Sequence, residues 1–168
     1  MFRVVAKTLV GICFGNMLIS ADAQTTVPEL YNPFYQVRTG LAFTPKIAAA
    51  PAEFGGGLGL YYAVDGEGGG VCYLASADLS YIPSTQSVRQ SFRGQIHGYA
   101  FFFGAQAAVE VGRVMNPEGS YKFLMPMVGI GLVYVFLNYG YEFSDQPELN
   151  HHYFSLSCYL PIWKFNHD

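Results

Sequence analysis

The sequence predicts an all-β protein, an eight-stranded antiparallel up-and-down transmembrane β-barrel that follows a cleaved signal peptide. Three observations lead there. First, LNHHYFSLSCYLPIWKF near the C-terminus alternates: Phe154, Leu156, Cys158, Leu160 and Ile162 fall on one face, Tyr153, Ser155, Ser157 and Tyr159 on the other, which is the two-residue period of a strand. Second, charged residues make up 12% of the chain and aromatics 17%, whereas a water-soluble domain usually carries about twice that charge fraction. So much apolar surface needs either a core too large for this chain to enclose, or lipid. Third, the rest of the chain divides at Gly-, Pro-, Asn- and Asp-containing stretches into further alternating segments.

Residues 1–23, MFRVVAKTLVGICFGNMLISADA, have the layout of a secretory signal. Arg3 and Lys7 precede an apolar run, and Ala21-Asp22-Ala23 precedes the expected cleavage before Gln24. The run of about a dozen residues is short for the ~20 of a membrane helix. Ile12, ahead of Cys13, is larger than lipid attachment to that cysteine would require. Cleavage removes Arg3, Lys7 and Asp22 from nine basic and twelve acidic residues, leaving 145 residues with seven basic and eleven acidic, net −4. Nothing in that balance resembles the clustered Lys and Arg of a nucleic-acid footprint. The chain therefore reads as a signal peptide (1–23), a polar periplasmic lead-in (24–33) and a barrel domain (34–165).

Within the barrel domain the first strand covers residues 35–44, with Arg38 on its polar face. Residues 45–53, with Pro45 and Pro51, read as a loop, and the second strand follows to Val64. The run DGEGGG from Asp65 to Gly70 reads as a turn. The third strand turns Val71, Tyr73, Ala75, Ala77, Leu79 and Tyr81 outward and Ser76, Asp78 and Ser80 inward, and residues 83–87 turn the chain. No turn residues then occur until Asn116-Pro117-Glu118-Gly119, and 28 residues at ~3.3 Å each would make a strand of ~90 Å. A tight turn is therefore expected near Phe103-Gly104. The same arithmetic divides residues 121–143 near Gly129 to Gly131. The rival for residues 123–137, a membrane helix, is disfavoured by its length, by Pro126 and by the alternation that follows. Residues 144–150 are a last loop before the closing strand, where Pro161 suits a bulge or edge.

Signal peptide, eight alternating segments, inward polar residues and an aromatic-rich final strand together resemble the small outer-membrane β-barrels of Gram-negative bacteria. Gln24 after Ala21-Asp22-Ala23, and the closing HYFSLSCYLPIWKF, are most similar to the porin-like barrel proteins of the Bacteroidetes group. The resemblance implies localisation in the cell outer membrane, contact with outer-membrane lipid, help from the barrel-assembly machinery during insertion, and other envelope proteins as candidate partners. In such barrels the last strand ends in an aromatic that the insertion machinery recognises, and Phe165 is the candidate here.

For function the inward polar residues matter most: Arg38, Asp78, Arg93, Gln95, His97, Glu110 and Glu142. An eight-stranded barrel is just wide enough for side chains to fill, so these are expected to form a polar network that plugs the lumen, in preference to a proton or ligand path through His97. Tyr35, Tyr62, Tyr81, Tyr139, Tyr141, Trp163 and Phe165 are expected at the membrane interface, where amphipathic rings suit the headgroup level. His151 and His152 near Ser155 raise the possibility of a lipid-modifying hydrolase. Nucleophilic catalysis needs the base within hydrogen-bond reach of the hydroxyl, and residues three or four apart on a strand are ~10 Å or more apart. The histidines are read as loop residues at the outer rim. No catalytic, metal or cofactor site is expected, and Cys72 and Cys158 are expected as free thiols. The favoured role is non-enzymatic, structural or in binding at the surface through residues 45–53, 83–87, 116–120 and 144–150. The alternatives are an accessory subunit of an envelope secretion or transport machine, the hydrolase, and a soluble lipocalin-like periplasmic barrel.

Overall fold

The structure, a computed structural model, describes residues 35–165. The signal peptide, the lead-in, Phe34 and the last three residues lie outside the described residues. Ten strand segments follow in order: β1 (Tyr35–Phe43), β2 (Lys46–Ala50), β3 (Ala52–Gly66), β4 (Gly69–Ile82), β5 (Ser87–Ala100), β6 (Phe103–Asn116), β7 (Gly119–Leu132), β8 (Val135–Ser144), β9 (His151–Cys158) and β10 (Leu160–Lys164). β1 and β2 are two halves of one strand, as are β9 and β10, so the ten segments make eight strands.

Each strand pairs antiparallel with its sequence neighbour, and the first closes onto the last. β1 pairs with β10, and β2 with β9. Closure is staggered. From Gly70 the pairings run through Tyr99, Gly104, Gly131, Phe136, Ser157, Lys46 and Gly55, and return to β4 at Ser80, ten residues beyond the start. Ten residues of ~3.3 Å spread over eight strand spacings of ~4.8 Å tilt the strands by roughly 40° to the barrel axis. One end of the barrel, here the terminal end, holds β1's start, β10's end and the two-residue turns Glu67-Gly68, Phe101-Phe102 and Val133-Tyr134. The other, the loop end, holds the turns at Pro51, at the 3-10 segment Pro83–Thr85, at Pro117-Glu118 and around the 3-10 segment Pro147–Leu149.

Several expected boundaries are corrected. Residues 45–53 are not a loop. The inward frame of Gly40, Ala42 and Thr44 continues through Lys46 and Ala48, and the chain reverses in one step at Pro51, whose bond to Ala50 is cis. Pro45 brought no loop because it sits where β1 passes into β2, opposite the passage from β9 to β10. It has no N–H to give, but its carbonyl still accepts from Cys158 N–H at 2.9 Å. The turn assigned to residues 65–70 is confined to Glu67-Gly68, and Asp65 is a strand residue. The break placed at Phe103-Gly104 falls at Phe101-Phe102, where Phe101 adopts φ 55° and its N–H donates to the Gly68 carbonyl of the neighbouring turn.

The break placed at residues 129–131 falls at Val133-Tyr134. Gly129 and Gly131 lie inside β7 because the wall is crowded there. A Cβ at Gly131 would run into the Val135 carbonyl oxygen, and one at Gly129 into Asn138 Oδ1. At Pro161 the closing strand bulges against the step between Leu41 and Ala42. Trp163, and not Ile162, is thereby the register partner of outward-facing Leu41. His151 and His152 are the first residues of β9 and not loop residues.

Every strand turns alternate residues into the lumen, and most of the outward ones are apolar, Ile130 being 69% and Leu137 60% exposed. No helix among the described residues is long and apolar enough to cross a membrane. Replacing Gly131 by Val is expected to destabilise the barrel by about 1–3 kcal/mol through overpacking. Ile130→Val, on the outward side, is expected to change stability by under ~0.5 kcal/mol. Denaturant midpoints of the folded barrel check both.

Candidate functional site

The alternation collects polar side chains in the lumen, and they stack in three tiers. Toward the loop end lies an ionic tier. Lys46 Nζ is 3.1 Å from Glu53 Oε1 and 3.2 Å from Glu110 Oε1. Arg89 reaches Glu53 Oε2 through Nε at 3.2 Å and Glu142 Oε2 through Nη2 at 2.6 Å. Ser91 Oγ donates to Glu110 at 2.8 Å, and the Arg89 guanidinium lies over the Phe123 ring, 4.3 Å from its centroid. Just below, Arg93 Nη2 is 3.0 Å from Asp78 Oδ2. Thr44 and Ser76 donate to the same Asp78 carboxylate at 2.9 and 3.1 Å.

The middle tier is neutral. Gln95 donates to Gln106 Oε1 at 3.3 Å, Gln106 donates in turn to Asn138 Oδ1, and Asn138 Nδ2 donates to Ser157 Oγ at 2.9 Å. His97 lies beside Gln95 and packs between Phe136 and Tyr159, with ring centroids 5.2 and 5.5 Å away. Toward the terminal end, Arg38 pairs with Asp65, which also accepts from the Tyr99 hydroxyl. Tyr61 and Tyr159 meet edge to face above that pair.

Sequence reasoning placed Arg38, Asp78, Arg93, Gln95, His97, Glu110 and Glu142 on polar faces, and the structure brings them into one lumen, though not into one cluster. Arg93 and Asp78 meet directly. Glu110 and Glu142 are joined through Lys46 and Arg89. Gln95 and His97 belong to the middle tier and Arg38 to the terminal end. The reading missed Lys46 and Glu53, assigned to a loop, and Asp65, assigned to a turn. The signal for Lys46 was present: Arg38, Gly40, Ala42, Thr44 and Lys46 hold one unbroken two-residue frame. Of the aromatics, Tyr62 faces out near the terminal end; Tyr81 and Tyr141 face out nearer the loop end and Tyr139 midway along β8, away from either margin; Trp163 and Phe165 sit at the terminal end. Tyr35 opens β1.

The ionic tier sets three cations against four carboxylates. Lys46, Arg89 and Arg93 oppose Glu53, Asp78, Glu110 and Glu142, and none of the seven is more than 5% exposed. Each carboxylate lies against a cation, and none stands open to a substrate. Ser155 points into the lumen within 3.4 Å of Asn138. His152 points outward, stacked on Tyr139 with its Nδ1 2.8 Å from the Tyr139 hydroxyl. His151 caps the mouth, its Nδ1 2.8 Å from the Leu149 carbonyl and its Nε2 3.9 Å from Glu142. Base and hydroxyl are thus on different faces or engaged elsewhere. Among the described residues no group of three or more His, Cys, Asp or Glu is placed to hold a metal ion. Cys72 lies in the lumen and Cys158 on the outward face, both as free thiols.

No family model, curated protein or solved structure matches this chain.

Removing one partner of a buried ion pair strands the other charge and typically costs about 3–5 kcal/mol. Glu110→Ala, which leaves Lys46 and Arg89 short of a carboxylate, is expected to destabilise the barrel by that amount. Ser157→Ala, which removes one neutral hydrogen bond, should cost about 1 kcal/mol. Equilibrium unfolding of the two variants against the parent measures the difference.

Proposed function

We propose that this chain is an integral outer-membrane protein, delivered across the inner membrane by residues 1–23, whose closed lumen carries no solute and whose role is structural or in contacts within the envelope rather than enzymatic. The observation that carries the reading is the inversion of polarity across the wall. The inside is ionic and the outside is apolar, the reverse of a barrel that lives in water.

The height of the apolar belt supports lipid as its surroundings. On β6 the outward residues Phe103, Ala105, Ala107, Val109 and Val111 lead to Arg113. On β7, Leu132, Ile130, Val128, Pro126 and Leu124 lead to Lys122. Ten residues at ~3.3 Å and a tilt of roughly 40° rise about 25 Å, and transmembrane barrels carry an apolar band of about 25 Å. Trp163 and the Phe101-Phe102 turn fall at the lower margin of that belt, and Tyr81 and Tyr141 near the upper one. An even strand number puts both termini at the same, periplasmic end. The short loops leave little surface for adhesion, so contact with other envelope proteins is the better reading of any partner role. A soluble lipocalin-like barrel would have to wet Phe54, Leu58, Phe92, Ile130 and Leu137, each more than half exposed. At about 25 cal/mol per Å2 of apolar surface, that is a heavy penalty for a domain of this size.

Two measurements test the proposal. The protein should fractionate with the outer membrane and shift gel mobility on heating; recovery in the soluble periplasmic fraction would refute it. In planar bilayers the folded protein should show no steady pore, because the ionic and amide tiers fill the lumen. A stable conductance would remove the closed-lumen part.

A further inference from the structure

Among the described residues, the outward positions of the strands carry two charged side chains, and they are directly opposite each other. Arg113 on β6 is the register partner of Lys122 on β7, and both are exposed. Gln90 on β5 pairs with Arg113 from the other side, so the three form one polar row at the loop end. Like charges facing each other across two strands destabilise a sheet. The cations inside the lumen are different: Lys46, Arg89, Arg93 and Arg38 each have a carboxylate beside them. Arg113 and Lys122 have no side-chain ion pair or hydrogen bond with any described residue. Asp145, beside Lys122 on the β8 side, accepts the Lys122 backbone N–H through Oδ1 at 2.9 Å and makes no ion pair with either side chain.

Immediately below the two cations lie Val111 and Leu124, also register partners, then Val109 and Pro126. The patch is therefore a paired positive charge standing on an apolar track, at the upper margin of the belt. Its complement is a molecule with an anionic head and a hydrocarbon body. We propose that Arg113 and Lys122 together bind the phosphate of an anionic lipid in the leaflet at the loop end, with an acyl chain lying along Val111, Leu124, Val109 and Pro126. An anion between the two side chains turns a repulsive pair into a two-point clamp, and the fork of Arg113 can engage two phosphate oxygens while Lys122 supplies a point charge. The inference rests on the reading of the wall as lipid-facing.

The test is the selectivity of the reconstituted full chain for spin-labelled phosphatidylglycerol over spin-labelled phosphatidylcholine in phosphatidylcholine vesicles. The parent should prefer the anionic lipid. R113Q and K122Q should each lower that preference about fivefold, from the roughly 1 kcal/mol a basic residue contributes near an anionic surface. The exchange R113K/K122R should keep most of it. K164Q, which removes a cation at the far end of the barrel, should leave the preference intact. Equal selectivity in the parent and in R113Q/K122Q would overturn the proposal while leaving the membrane reading standing. Loss of the preference on adding millimolar inorganic phosphate would show that the pair takes a free anion, and would overturn the assignment to lipid. Failure of the parent to enter neutral vesicles at all would sink the membrane reading and this inference with it.

Discussion

Everything in this structure depends on how the first strand closes onto the last. A flat ladder of eight strands would leave two unpaired edges and no inside. Closure with a ten-residue stagger satisfies both edges, sets the tilt and fixes a lumen just wide enough for side chains. The stagger also decides which residues meet. Lys46 and Glu53 enter on the first two strands, Glu110 and Arg89 from the far wall. They come within ion-pair distance because the seam carries β2 up beside β9 toward the loop end.

Once closed, the wall separates a polar interior from an apolar exterior by single-residue steps. Arg93 faces Asp78 inside, while its neighbour Phe92 is 63% exposed outside. A one-residue slip would put the ions outside and the phenyl ring inside, so the polarity of each face holds the register as firmly as the hydrogen bonds do. Buried ions are costly when unpaired, and here they are distributed so that cations from β2 and β5 meet carboxylates from β3, β4, β6 and β8. The tier thereby ties non-adjacent strands across the barrel, a job that the neighbour-to-neighbour ladder cannot do.

The alternation was the legible part. Residues 71–82, 153–160 and 135–143 could be assigned to an inside and an outside face from the sequence, because burial there follows side-chain polarity. The turns were less legible, for two physical reasons. Phe101-Phe102 and Val133-Tyr134 carry none of the residues that usually announce a turn. Gly129 and Gly131, which seemed to announce one, instead mark where the inner wall has no room for a side chain, and Gly104 is already the second residue of β6. The prolines misled in the same way: Pro45 sits at a seam where a missing N–H can be tolerated. Lys46 and Asp65 were lost from the candidate site because their strands were ended too early, at Thr44 and Val64, and Glu53 because its strand was started too late, at Phe54. Arg113 and Lys122 can be seen as a pair only once the register of β6 against β7 is known.

The central claim is that successive residues of one strand face lipid and packed protein in turn. Spin labels on single cysteines at Leu137, Asn138 and Tyr139 of β8, in a background lacking Cys72 and Cys158 and reconstituted into vesicles, address it directly. The account predicts high accessibility to oxygen and low accessibility to a water-soluble nickel chelate at Leu137 and Tyr139, and low accessibility to both at Asn138. Free collision of the nickel chelate with the labels at Leu137 and Tyr139 would contradict it.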